Sequence, residues 1–211
     1  MNFVRKGLLP VLGIIIIAAL FFGYKIGSAY YTNYQLDQRL TNSVLDIELS
    51  DEELEKGNGL NAGEILLKKP FELSEVAPLW EKLSENGELK QEYSYLKLIN
   101  FFTIVYKSDS LLVNGFVAEP KRDGNYPVII FNRGGNQKFG KLSRFNTLFS
   151  TIYSTGKLIS EGYVVVAPCY REQDEFGGSD INDVLSLTKT AASLPKANTN
   201  QLGIMAGRAE A

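Results

Sequence analysis

The pattern of hydrophobic and polar positions divides the chain into three stretches. Leu8 to Gly23 read LLPVLGIIIIAALFFG, an uncharged apolar run with Arg5 and Lys6 before it and Lys25 after it. As a helix rising 1.5 Å per residue the run spans roughly 25 Å, a little short of the ~30 Å hydrocarbon core of a bilayer. Tyr24 extends it at the interface, and Lys25 can snorkel to the headgroups. The absence of any polar face argues against a buried core helix. Two basic residues before the run and one after favour a cytoplasmic amino terminus, with the rest of the chain carried across the membrane. Gly27-Ser28-Ala29 also offers the small residues a signal peptidase takes, so a cleaved signal is the alternative. The run exceeds a typical signal core. Residues 1–29 are therefore expected to anchor the chain through residues 8–24, with the domain extracytoplasmic, or secreted if cleavage follows Ala29.

Residues 30–95 are mixed and polar, and read as a linker with helical segments. Ser50 and Glu53 have the spacing of a capping box ahead of Asp51–Lys56, and Gly57-Asn58-Gly59 stops that short acidic helix. Ser74 to Glu85 places Val76, Leu79, Trp80 and Leu83 on one side of a second helix, which Asn86-Gly87 ends.

From about residue 96 the period changes. Leu98–Tyr106 and Leu111–Ala118 are rich in β-branched and aromatic residues, and Lys107-Ser108-Asp109-Ser110 between them has turn chemistry, which predicts a hairpin. Val128–Phe131 and Tyr163–Ala167 are continuously apolar, the pattern of strands buried on both faces. Helices are predicted over Phe145–Ser160 and Asp180–Leu194. In the second, Asp180 is the expected cap, and Ile181, Val184, Leu185, Thr188 and Ala191 share the expected core face. Leu202–Ala206 is the last strand, expected parallel beside Tyr163–Ala167. A hairpin followed by strand–helix–strand–helix–strand predicts a doubly wound α/β sheet with an antiparallel edge.

Composition narrows the chemistry. The chain has 211 residues and a net charge of −2, with no basic excess to neutralise phosphates, so nucleic acid is not an expected partner. It contains no histidine, which removes the usual general base and the commonest metal ligand. Its one cysteine, Cys169, builds neither an internal disulfide nor a thiolate metal site. No cofactor or metal is implied.

Three segments are candidates for a site. Gly135 to Leu142 has the glycine and lysine spacing of a phosphate-binding loop, yet Leu142 stands where a magnesium-holding hydroxyl belongs, and Ser143 comes one residue late. Arg133, Gly134, Gly135 and Asn136 come directly after the first buried strand. Ligands bind outside such strand ends in open α/β sheets, and paired glycines let backbone N–H groups turn inward as an oxyanion hole requires. A tight turn with the same sequence and no ligand is equally compatible with those residues. The loop from Tyr170 to Asp180 leaves the second buried strand at the same edge, with Tyr170, Arg171, Glu175 and Asp180 as binding candidates; a solvated connection is the alternative.

The segments Tyr106–Asp109, Val113–Phe116, Pro127–Asn136, Ser160–Arg171 and Glu175–Val184 together resemble the α/β-hydrolase core of prolyl-oligopeptidase-type serine hydrolases. They are similar also to dipeptidyl-aminopeptidase and dienelactone-hydrolase relatives. The resemblance covers about Leu98 to Met205 and implies a peptidase or esterase acting on a peptide or ester ligand. It also implies that Arg133–Asn136 match the family turn that helps form the oxyanion hole. In that family the next strand ends in Gly-x-Ser-x-Gly, whose serine is the nucleophile, with the acid and the histidine later in the chain. Here Gly203-Ile204-Met205-Ala206 is followed by Gly207 or Arg208 at the serine position. The chain is thus expected to be a truncated hydrolase core over residues 96–211, without catalytic serine, aspartate or histidine, and inactive as it stands. A non-catalytic binding module on the outer side of the membrane is the alternative.

Overall fold

The computed structural model describes residues 3–134, 140–171 and 178–207, with side chains from residue 14 onward. Packing divides the chain into two units, Met1–Arg39 and Leu40–Ala211. In the first, helix α1 (Phe3–Leu40) is 38 residues long, about 57 Å at 1.5 Å per residue. Ile14, Ile17, Leu20 and Phe22 on it are more than half exposed. Among the described residues this is the one helix long and apolar enough to cross a membrane.

The second unit opens with α2 (Asp51–Asn58), capped as its sequence predicts: Glu53 N donates to Ser50 Oγ, and Ser50 N donates to Glu53 Oε2 at 2.9 Å. Strand β1 (Ile65–Phe71) comes next, then a 3-10 turn at Leu73–Glu75 and helix α3 (Ala77–Leu83). Val76, Leu79 and Leu83 are fully buried and Trp80 half so. Strands β2 (Ser84–Glu85) and β3 (Glu88–Leu89) turn through Asn86 and Gly87 at φ 52° and 84°, the left-handed pair that Asn-Gly accommodates best. After a 3-10 segment, Gln91–Leu98, come β4 (Ile99–Ser108), β5 (Leu111–Pro120), β6 (Tyr126–Asn132), α4 (Gly140–Gly162), β7 (Val164–Pro168), α5 (Ile181–Ala192) and β8 (Ala197–Ala206).

Six strands form one mixed sheet in the order β1-β4-β5-β7-β6-β8. The β4–β5 hairpin pairs from Ile99 with Pro120 to Ser108 with Leu111, turning at Asp109-Ser110 as predicted. β7 runs antiparallel to β5 and parallel to β6. The last strand does not lie beside Tyr163–Ala167: both edges of β7 are already taken, so β8 pairs in parallel with β6. Residues 65–71, read from the sequence as linker, form the edge strand β1 against β4. Its two lysines obscure the apolar pattern. Lys68 lies with its ammonium 4.0 Å from the centre of the Phe102 ring and 3.7 Å from Glu119 Oε2.

Alternation along the strands builds a core on each face. Ile104, Tyr106, Val113, Val117, Val128, Ile130, Val164 and Val166 pack under Leu187, Ala191 and Leu194. All five residues of β7 are buried, as its continuous apolar run requires. Gly115 permits the close approach of β5 to β7, since a Cβ there would stand 2.9 Å from the backbone oxygen of Ala167.

Helix α5 keeps part of the core face its apolar spacing predicts, with Ala191 buried and Val184 partly buried against the core, but it is rotated about its axis. Leu187, Ala191, Asp183, Ser186 and Thr190 are buried, whereas Ile181 and Leu185 are 47% and 54% exposed. Two polar anchors set this rotation. Asp183 binds Arg171, and Thr190 Oγ1 donates to the Gly63 carbonyl at 2.8 Å. Asp180 is not the expected cap either; its backbone is already helical, at φ −61° and ψ −22°, and its side chain makes no capping hydrogen bond.

Candidate functional site

Parallel strands β6, β7 and β8 end at one edge of the sheet, which gathers Arg133-Gly134, Cys169-Tyr170-Arg171 and Gly207. Gly207 N donates to the Asn132 carbonyl at 2.7 Å. A Cβ on Gly207 would stand 3.4 Å from Gly134 N, so the turn after β6 and the end of β8 are neighbours.

Arg133 belongs to the scaffold under this edge. Only 7% exposed, its guanidinium donates through Nε to Thr147 Oγ1 at 2.8 Å and through Nη2 to Ser143 Oγ at 2.9 Å. Ser143 Oγ in turn donates to the Cys169 carbonyl at 2.9 Å. The guanidinium carbon lies 5.4 Å from the centre of the Tyr170 ring, and Tyr170 Oη donates to the Arg133 carbonyl at 3.3 Å. One arginine thus joins the ends of β6 and β7 to helix α4. Tyr170 has φ 59°, an uncommon conformation for a bulky residue. It is held from both sides, by Cys169 N on the Asn114 carbonyl and Arg171 N on Asp183 Oδ2, each at 2.9 Å.

Arg171 and Asp183 form the second part of the edge. Asp183 is fully buried, and its carboxylate accepts from Arg171 N, Nε and Nη2 and from Ser108 Oγ at 2.7 Å. Arg171 Nη2 also lies 2.9 Å from Asp109 Oδ2, to which Asn182 Nδ2 donates at 3.0 Å. The Arg171 bond and then the Asn182 bond hold the Asp109 carboxyl below its ordinary range. Asp183 raises the affinity of Arg171 for its proton further. Tyr106, fully buried with its hydroxyl on the Asp183 carbonyl, has its ionisation pushed well up by burial. The cluster ties the hairpin turn, the end of β7 and the start of α5 together.

The other residues singled out by the sequence have different fates. Gly135, Asn136 and Glu175 lie outside the described residues. Asp180 is buried at the start of α5. In the phosphate-loop-like stretch, Lys141 Nζ donates to Thr41 Oγ1 at 3.0 Å, and the Ser143 hydroxyl is used within the scaffold. Burial pushes the Cys169 thiol up to about 12, so it stays protonated and inert. Sequence reasoning missed Asp183, Ser108 and Asp109 as one cluster. Their signal was modest: a charged residue on an otherwise apolar helix, and the Ser-Asp of a turn.

The sheet places an antiparallel hairpin beside crossed parallel strands, with β8 on the far side of β6. In sequence, the chain is similar to an uncharacterized peptidase, YtmA, of Bacillus subtilis (strain 168), at 29% identity over 115 residues. The alignment covers 50% of this chain, and the chain spans 40% of that relative's length. Among solved structures, the cell-wall-degrading esterase LipA of Xanthomonas oryzae matches 70% of this chain and 42% of its own, at TM-score 0.45 and 14% identity. A thermostable esterase of Pseudomonas putida matches 74% of this chain and 45% of its own, at TM-score 0.39 and 16% identity. Pyrococcus horikoshii acylaminoacyl peptidase matches 58% of this chain and 22% of its own, at TM-score 0.41 and 21% identity. No family model matches the chain.

Proposed function

We propose that this chain holds the amino-terminal strands of a serine-hydrolase domain of peptidase or esterase type. In this reading α1 attaches the domain to a membrane with the sheet outside the cytoplasm, and the 211-residue chain does not itself turn over substrate. The hydrolase reading is carried by the meeting of two strand ends, Arg133-Gly134 and Gly207, tied by the 2.7 Å bond from Gly207 N to the Asn132 carbonyl. In open α/β sheets ligands bind outside the ends of the parallel strands, and an acyl or peptidyl group there is the fitting ligand. The likeness to YtmA, an uncharacterized peptidase, supports the peptidase side of this reading. Inactivity rests on the chain's lack of histidine, the base that most often activates a serine.

The test is to purify the full chain in detergent and assay it with p-nitrophenyl esters, dipeptidyl anilides and a fluorophosphonate probe. Neither turnover nor labelling is expected. Turnover that tracks with this chain through purification would overturn the reading of the chain as inactive.

A further inference from the structure

Tyr93, in the 3-10 segment before β4, and Tyr153, on α4, meet across a sequence separation of 60 residues. Tyr93 Oη donates to Tyr153 Oη at 3.2 Å, and the rings stand 6.0 Å apart between centres at an angle of 61°. Tyr153 is 49% exposed, which leaves one edge of the pair open to solvent. Its other side is braced: the Phe149 ring lies 4.3 Å away, tilted by 30°, and Phe145 stacks beyond it. The hydrogen bond turns the two phenolic oxygens, and the ortho carbons beside them, toward each other.

We propose that Tyr93 and Tyr153 are an oxidative cross-linking site, closed as an intrachain dityrosine by a peroxidase-type one-electron oxidant using hydrogen peroxide. Each phenol gives up one hydrogen atom, an electron and a proton, to the oxidant. The unpaired electrons delocalise onto the ortho carbons, Cε of each ring, and pair to form one carbon–carbon bond. Each ring then moves its ortho hydrogen to oxygen as it regains aromaticity. In balance, one hydrogen peroxide takes two hydrogen atoms from the protein and becomes two waters. Tyr153, the exposed member of the pair, can rotate on the picosecond-to-nanosecond timescale of exposed side chains, toward the half-buried Tyr93 ring. The product fastens the segment Gln91–Leu98 to α4.

The test treats the full chain, dilute in detergent micelles, with peroxidase and hydrogen peroxide. An intact mass lower by two hydrogen atoms is expected, with dityrosine fluorescence and a cross-linked peptide containing both Tyr93 and Tyr153. Tyr153→Phe should reduce the cross-link to background, whereas Tyr95→Phe, on the same segment and beside Gly156, should keep it. Exposed tyrosines on α1 (Tyr24, Tyr30, Tyr31 and Tyr34) compete for the same oxidant. Peptides linking those residues in place of Tyr93 and Tyr153, a cross-link that survives Tyr153→Phe, or no dityrosine at all would each overturn the proposal. Mapping in the unsubstituted chain keeps the test valid if a variant fails to fold.

Discussion

Arg171 Nη2 lies 2.7 Å from Asp183 Oδ1, and the carboxylate it faces has no exposed surface. The pair is formed between the end of β7 and the buried side of α5, and it draws in the Ser108 hydroxyl and Asp109 from the hairpin turn. A buried charge is tolerable only while its partners remain, so this edge of the sheet is expected to fail as a unit.

Arg171→Met leaves the Asp183 charge buried and uncompensated, and should destabilise the fold by about 3–5 kcal/mol. Urea unfolding of the full chain in detergent measures it. In a double-mutant cycle with Asp183→Asn the two losses should be strongly non-additive. A loss below about 1 kcal/mol for Arg171→Met, the range of a surface pair, would contradict the buried-pair reading.

Asp109 predicts an acid limb. Its folded carboxyl titrates below the ordinary value of 3.8, so its contribution is present above the unfolded value and is lost as pH falls through the lower, folded one. Because the side chain is 44% exposed, the effect is small. Asp109→Asn should flatten the fall of thermal midpoint at and below about pH 4, with little change near pH 7. An unchanged acid limb would show that the pair with Arg171 does not set it.

Cys169 is 3% exposed and titrates at about 12, so about one thiol in ten thousand is ionised at pH 8. Maleimide labelling of the native chain should therefore be slow and should rise to the free-thiol rate in denaturant. Rapid native labelling would mean that the end of β7 opens readily.

Strand β8 should be the weakest part of the sheet. Among the described residues it pairs only with β6, and Ile204 is 61% exposed. Val128–Phe131, between β7 and β8, should show greater hydrogen-exchange protection than Leu202–Met205. A strand paired on one side only is a template for another chain, so self-association through β8 is expected, and Ile204→Lys should reduce it. Equal protection in both strands of a monodisperse sample would contradict this.

Much of the architecture is legible in local pattern. The continuous apolar runs at Val128–Phe131 and Tyr163–Ala167 mark strands covered on both faces, because only burial on both sides tolerates such runs. The hairpin at Asp109-Ser110 and the capping box at Ser50 and Glu53 are local events, decided by residues within a few positions of each other. Asn86-Gly87, expected to end a helix reaching Glu85, instead turns the chain between β2 and β3 after a helix that stops at Leu83. Strand β1 is not legible in this way, since its two lysines look like linker until Phe102 and Glu119 come beside them.

An apolar amino-terminal helix, an α/β alternation after residue 96 and a chain without histidine are read directly from the residues. Those are properties of composition and short-range periodicity. The fold as a whole placed β8 on β6, because neighbours in a sheet are chosen by which edges remain open. It also decided that α5 hides Asp183 while exposing Ile181 and Leu185. A hydrogen-bonded ion pair formed with a distant strand end outweighs the apolar spacing of one short helix. Arg133 shows the same division. Its place after a buried strand is local, but the hydroxyls of Ser143 and Thr147 that make it part of the scaffold come from another element.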